Sequence, residues 1–155
     1  MTEAAQENTQ PVFNMEKIYV KDLSLEIPHA PQIFLDRSNP QIDVQLHTQA
    51  DSFEKGLFEV IVTATVTAKL GEKVMFLIEA KQAGVFQISN IPANELEQIL
   101  AVMCPNILFP YLREVVSDVA VRAGFAPVLL NPINFDAIYQ QQKLQAQATA
   151  STTTH

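Results

Sequence analysis

The chain has 155 residues, with 10 Lys and Arg against 17 Asp and Glu, a formal net charge of -7 and a pI near 4.8. That length fits one domain able to bury a core without metals or disulfides, while the acidic balance opposes nonspecific binding to nucleic acid or insertion at an anionic membrane face. The one cysteine, Cys104, leaves no internal disulfide to form. No charged start precedes an apolar core as in a signal peptide, and no apolar stretch approaches the roughly 20 residues that span a bilayer, so a soluble protein of the reducing cytosol is expected.

Residues 1–11, rich in Thr, Gln, Asn, Glu and Ala, predict a disordered tail, because they cannot bury enough surface to offset ordering entropy. Residues 12–140 read as a single domain. Phe13, Met15, Tyr19, Leu23, Leu25 and Ile27 fall on odd positions, with Glu16, Asp22, Ser24 and Glu26 on even ones, the period of a half-buried strand; Ile18 and Val20 blur it. Pro28, Pro31 and Pro40 then bound a loop carrying Ile33, Phe34 and Leu35. Ile42, Val44 and Leu46 alternate with Asp43, Gln45 and His47 as a second strand. Phe58, Val60, Val62, Ala64 and Val66 alternate with Glu59, Thr63, Thr65 and Thr67 as a third. Lys69-Leu70-Gly71-Glu72 predicts a short hairpin connection to a fourth strand, Val74 to Ile88, in which Gly84 is a candidate bulge.

After Pro92 the period becomes helical, with Leu96, Ile99, Leu100 and Met103 on one stripe and Leu112, Val115, Val116, Val119 and Ala123 on the next. Between them, Pro105 and Pro110 interrupt an apolar run. A proline removes a backbone donor and kinks or restarts a helix, so Asn106 to Tyr111 are expected to shape a bend between helical segments. Asn134 is a candidate N-cap for a last helix with Phe135, Ile138 and Tyr139 on one face, and residues 141–155 read as a mobile tail. Four strands followed by helices predict an α+β fold, a four-stranded antiparallel sheet with helices packed on one face in the order β-β-β-β-α-α. Alternation directs Asp22, Glu26 and Glu59 outward.

Chemistry is sparse. His29, His47 and His155 lack a second ligand at i+3 or i+4, and the four glycines build no phosphate loop or dinucleotide fingerprint, so no metal or other cofactor is expected. Asp22 with Glu26, and Glu95 with Glu97, sit where periodicity predicts solvent. Cys104 fits a small buried hydrophobe better than a nucleophile. An enzyme acting on a small molecule would need a titratable group among the inward positions, where alternation offers only Lys17, Tyr19 and Lys21. What remains is apolar surface in irregular segments: Ile33, Phe34 and Leu35 in the first long loop, and Phe125, Val128, Leu129, Leu130 and Ile133 among prolines in the second. These loops either cap the core or wall a groove for extended polypeptide, each well-buried side chain contributing about 1.5–3 kcal/mol.

Cys104-Pro105-Asn106-Ile107-Leu108-Phe109-Pro110-Tyr111 closely resembles the CPNILFPY segment of the SecB protein-export chaperones. Lys21-Asp22-Leu23-Ser24-Leu25-Glu26 with Ala30-Pro31, Val66-Thr67-Ala68 running into Leu70-Gly71-Glu72, and Asn134-Phe135-Asp136-Ala137 resemble the same family in order and spacing. The resemblance implies a SecB-like fold and a homotetramer, a dimer of dimers, that holds unfolded precursor proteins in apolar grooves and passes them to the SecA ATPase without catalysing any reaction. It implies a groove bordered by Ile33, Phe34, Phe125, Leu129 and Phe135, floored by Val44 and Leu46, and continued by Ile138 and Tyr139 of the last helix. It also implies a SecA-facing surface of Asp22, Glu26, Leu77 and Glu79, and tetramer contacts through Leu96, Ile99, Leu100 and Met103, for which ordinary core is the other role. The chain departs from the family in carrying Ser38-Asn39 before Pro40 where members commonly have Trp, in the lysines Lys69, Lys73 and Lys81 around the fourth-strand acidic site, and in a tail without carboxylates. The alternative reading is a SecB-like chaperone dedicated to one client, such as an antitoxin.

Overall fold

Two tight turns, Lys55-Gly56 and Gly71-Glu72, fold residues 41–89 into a three-stranded meander. Each places its glycine in the left-handed region, at φ 76° and 61°, where a Cβ would be strained. The strands are β2 (Gln41–Glu54), β3 (Leu57–Leu70) and β4 (Lys73–Ser89), and β1 (Val12–Glu26) adds to β4. The order is β1-β4-β3-β2, antiparallel throughout, in a computed structural model that describes residues 9 to 152. Because β1 and β2 are opposite edges, the connection between them has to cross the sheet. It does so through a 3-10 turn, Gln32–Leu35, whose Ile33 is buried. The expected tail over residues 1–11 falls mostly outside the described residues.

After the sheet come α1 (Ala93–Gln98), a wide π turn (Ile99–Met103), α2 (Cys104–Arg122) and α3 (Phe135–Thr152). The α+β arrangement expected from the sequence is the one observed. Cys104, Leu108, Leu112, Val116 and Ala120 recur every four residues on α2 and are fully buried against Val60, Val62, Ala64 and Val66 of β3 and Phe76, Ile78, Ala80 and Phe86 of β4. Burial raises the Cys104 thiol to about 12, consistent with a packing role.

Four expectations need correction. The bend at Asn106 to Tyr111 does not divide the helix, since Ala93–Arg122 is one 30-residue helix. Pro105 sits in the first turn of α2 just after the π turn, where the Cys104 amide already reaches back to the Ile99 carbonyl. Pro110 lies inside α2, where it has no amide hydrogen to offer the Asn106 carbonyl, and both residues are on the exposed side of the helix. The same helix is long and apolar enough to cross a bilayer by length and composition; here its apolar stripe is buried on the sheet.

Gly84 is not a bulge, because β4 runs in unbroken register through it against both neighbours. Its missing side chain admits the core instead: a Cβ there would lie 2.8 Å from Phe86 Cε2 and 3.0 Å from Leu108 Cδ2. Register shifts lie elsewhere: two in β1, between Met15 and Lys17 and between Val20 and Asp22, one in β2 between Ser52 and Glu54, and one between Ala68 and Lys69 of β3, where Met75 of β4 is skipped. Each extra residue in β1 inverts the alternation, so Ile18 and Val20 take the helix-side face while Lys17 and Tyr19 turn outward. Finally, over residues 141–152, in the expected tail, α3 continues through a stretch rich in good helix formers such as Gln and Ala, exposed over 141–150; residues 153–155 lie outside the described residues.

Candidate functional site

The C-terminus of α2 aims the second long loop back over the sheet. Gly124, at φ 91°, ends the helix: its amide bonds the Val121 carbonyl at 3.0 Å and the Phe125 amide bonds the Ala120 carbonyl at 3.1 Å, a Schellman closure. That reversal sets the Phe125 ring 5.0 Å from Phe76 and stacks it 5.2 Å from Phe34 of the crossing loop. At the far end of the loop, Arg113 of α2 donates from Nε to the Leu130 carbonyl at 2.8 Å while lying over the Phe109 ring at 5.0 Å. The loop ends where Asn134 Oδ1 accepts from the Ala137 amide at 3.0 Å, the predicted N-cap of α3.

Two adjoining cavities open along this loop and share Ile42 and Pro127. The larger, about 600 Å³, is floored by Ile42, Val44 and Leu46 of β2 and walled by Leu129, Ile133 and Ile138, with no ionisable side chain in its lining. The smaller, about 430 Å³, is formed by Ile33, Phe34, Phe76 and Phe125 and has a polar rim at Asp36 to Asn39. There the Ser38 amide donates to Asp36 Oδ1 at 2.9 Å and holds that carboxyl below its ordinary range. An apolar trough with a few polar groups at one rim can bind extended side chains of many shapes. Among the described residues no cluster of His, Cys, Asp and Glu is arranged to hold a metal.

Of the groove residues expected from the sequence, Ile33, Phe34, Val44, Leu46, Phe125, Leu129 and Ile138 line these cavities. Phe135 and Tyr139 do not. Both are buried beneath, Phe135 edge-on to Phe109 at 5.8 Å, because the capped first turn of α3 points positions 135 and 139 into the core and leaves 138 at the cavity wall. Sequence reasoning missed Ile42, Met75, Pro127 and the latch at Arg113. Ile42 was within reach, since it alternates in phase with Val44 and Leu46, whereas nothing local marks Arg113. Leu96, Ile99 and Leu100 are half-buried against the core and Met103 is exposed.

The opposite face of the sheet carries the acidic residues. Register sets Asp22 across from Lys81, Ser24 across from Glu79 and Glu26 across from Leu77, so the four residues expected there form one patch on neighbouring strands. Beside it, Glu59 accepts hydrogen bonds from the Tyr19 hydroxyl and from Lys21 Nζ, the latter at 2.6 Å. With Lys17 outward as well, none of the three titratable groups that a small-molecule enzyme would have needed faces the interior.

Lys21 first, and then Tyr19, hold the Glu59 carboxyl below its ordinary value of 4.5; burial first, and then Glu59, raise the Tyr19 phenol from 10.0 to about 12. The depressed carboxyl contributes stability above 4.5 that is lost as pH falls through its lower folded value. The raised phenol contributes stability below 10.0 that is lost as pH rises toward 12. Melting temperature against pH should therefore fall on both flanks, with Tyr19→Phe flattening part of the alkaline loss and Glu59→Gln part of the acid loss. Unchanged flanks in both variants would refute the coupling.

A profile of the family described as preprotein translocase subunit SecB matches residues 6–146. Protein-export protein SecB of Nitrosomonas eutropha is 64% identical over 94% of this chain and 91% of its own length, and that of Methylobacillus flagellatus is 55% identical over 99% and 98%. Among solved structures, a SecB-like chaperone of Mycobacterium tuberculosis in complex with a ChAD peptide from the HigA1 antitoxin superposes with a TM-score of 0.65 over 78% of this chain and 90% of that one, at 17% identity, a likeness of fold alone. A sheet, helices and crossing loops of this form, with full-length identity above half to named export proteins, place the chain in the SecB protein-export family.

Proposed function

We propose that the chain is a cytosolic holdase that binds unfolded precursor proteins in the trough over β2, keeps them competent for translocation and delivers them to the SecA ATPase. The observation that carries the reading is the pair of cavities joined at Ile42 and Pro127, apolar along one length and free of ionisable groups in the larger part. Contacts of that kind are non-directional, so they suit many sequences, and a folded protein offers no extended chain to fill them. The outward patch of Asp22, Glu26, Leu77 and Glu79 is the docking surface for SecA, on the face of the sheet away from the trough.

Assembly as a homotetramer, a dimer of dimers, would let one long client engage several weak sites and gain avidity without a tight sequence-specific contact. Exposed Met103 on the first helical run is available to such an interface. The dedicated-client alternative is not favoured: the peptide-bound neighbour is only 17% identical, whereas curated relatives above 50% identity are export proteins. Size-exclusion chromatography with light scattering, on the protein alone and with a slow-folding precursor, tests the proposal. A tetramer that holds the unfolded but not the folded precursor supports it; a monomer or dimer indifferent to unfolded chain overturns it.

A further inference from the structure

We propose that the client trough continues past its two cavities into a third, polar compartment between β2 and α3, where the carboxylate of Glu97 takes a Lys or Arg side chain two residues beyond the client's last apolar anchor. The proposal rests on the holdase reading above and adds a side chain that the apolar part of the trough does not select.

Both walls of the larger cavity run on beyond it. On β2, Ile42, Val44 and Leu46 are followed on the same face by Thr48 and Ala50, because the strand pairs with β3 without a register break from Gln41 to Ser52. On α3, Ile138 is followed one turn later by Gln142. Two strand residues advance about 6.8 Å and four helix residues about 6 Å, so the two walls step forward together. The step lands in a separate hollow of about 290 Å³, with Thr48 and Ala50 on one side and Gln142 on the other. Its remaining wall is Glu97, Leu100 and Ala101, which share one face of the first helical run at i, i+3 and i+4.

An extended client has the same spacing as the walls. Its side chains at i and i+2 point the same way, about 6.8 Å apart. A client lying along β2 with an apolar side chain against Leu46 and Ile138 therefore sets the side chain two residues on beside Thr48 and Gln142. The chemistry changes at that step. The larger cavity has no ionisable group in its lining, whereas the hollow has one carboxylate and no cationic side chain. Glu97 is exposed and, among the described residues, has no ion-pair partner. Lys143, next to Gln142, lies instead over the Tyr139 ring at 5.4 Å. The aliphatic stem of a client Lys or Arg can lie along Leu100 and Ala101 while its charged end reaches Glu97. A client carboxylate would meet Glu97 with no neighbouring cation to offset the repulsion, so the compartment adds selection by charge to a trough that is otherwise tolerant of sequence.

The test titrates the full chain with unstructured fluorescent peptides in which Leu alternates with uncharged polar residues and the position two beyond the last Leu is Arg, Gln or Glu. One series places that position past the N-terminal Leu and another past the C-terminal Leu, so both directions along β2 are read. Wild type is expected to bind the Arg peptide about threefold more tightly than the Gln peptide, and the Glu peptide about threefold more weakly, in one of the two series at low salt, as for a partly exposed ion pair. Glu97→Gln is expected to erase the preference without changing affinity for the Gln peptide. Gln142→Lys, which brings a cation to the opposite wall, is expected to reverse it. Both positions are exposed, so neither variant is expected to lower the melting temperature. Moving the Arg by one residue, which points it away from the trough, is expected to remove most of its advantage.

An Arg preference that is the same in Glu97→Gln as in wild type, or that persists undiminished at high salt, overturns the compartment and leaves the trough standing. So does a wild type that binds the peptides but is indifferent to the varied residue in both series. A wild type that binds neither the peptides nor an unfolded precursor overturns the holdase reading and this proposal with it.

Discussion

Phe34→Ser combined with Leu129→Ser should weaken capture of an unfolded precursor by more than about tenfold while SecA binding stays at its wild-type level. The two side chains stand on different cavities, one on the crossing loop and one on the loop after α2, so an extended client spanning both loses contacts at each end. Leu129 is 72% exposed and Phe34 45% exposed in the free chain. A bound client would remove much of that surface from water, and even half of the roughly 1.5–3 kcal/mol available to a fully buried side chain amounts, over two sites, to more than one decade in affinity. The same exposure means that little folding energy is lost at Leu129, and the stacking of Phe34 on Phe125 can be monitored by melting temperature. Titration of a fluorescent, unfolded precursor reads the effect. Wild-type affinity in the double variant would remove these loops from the client site and leave them as lids on the core.

Asp22→Lys with Glu26→Lys should produce the reverse separation, a loss of SecA affinity of at least about tenfold with precursor capture intact, because a patch that attracts a basic partner surface would then repel it. Register makes the change severe. Position 22 stands directly opposite Lys81, so the reversal places two lysines across one rung where an opposite-charge pair stood. The neutral pair Asp22→Asn with Glu26→Gln separates lost attraction from added repulsion and is expected to fall between wild type and the reversal. Raising ionic strength should erode the wild-type interaction more than it erodes either variant's. SecA binding that is unmoved by the reversal, measured at low salt, would place the docking surface elsewhere.

The strands of the meander were legible because Ile42, Val44 and Leu46 of β2, and Val62, Ala64 and Val66 of β3, alternate with polar residues, and each hairpin turn carries a glycine where the backbone demands one. The apolar cavity walls were legible as composition: long loops rich in Ile, Phe and Leu had to cover something apolar. Their membership was not, because Phe135, Tyr139 and Ile138 are chemically similar neighbours on one helix turn, and the cap at Asn134 sets which of them points inward.

β1 shows the limit most clearly. Its odd-even pattern predicts one face with Ile18 and Val20 as exceptions, yet those two residues mark the stretch between two bulges. A tie that leaves this stretch and runs across β4 joins Tyr19 to Glu59, 40 positions apart in sequence, so no local window contains it. Pro110 fails as a helix breaker for a related reason. The local cost of a missing donor is outweighed by Leu108, Phe109 and Leu112 buried around it, and both Pro110 and Asn106 lie on the exposed side of the helix. Period, turn chemistry and family motifs are properties of neighbouring residues and survive in the linear chain. Strand register at an edge, and the depth at which a side chain comes to rest, depend on partners brought near only by folding, and those belong to the tertiary structure.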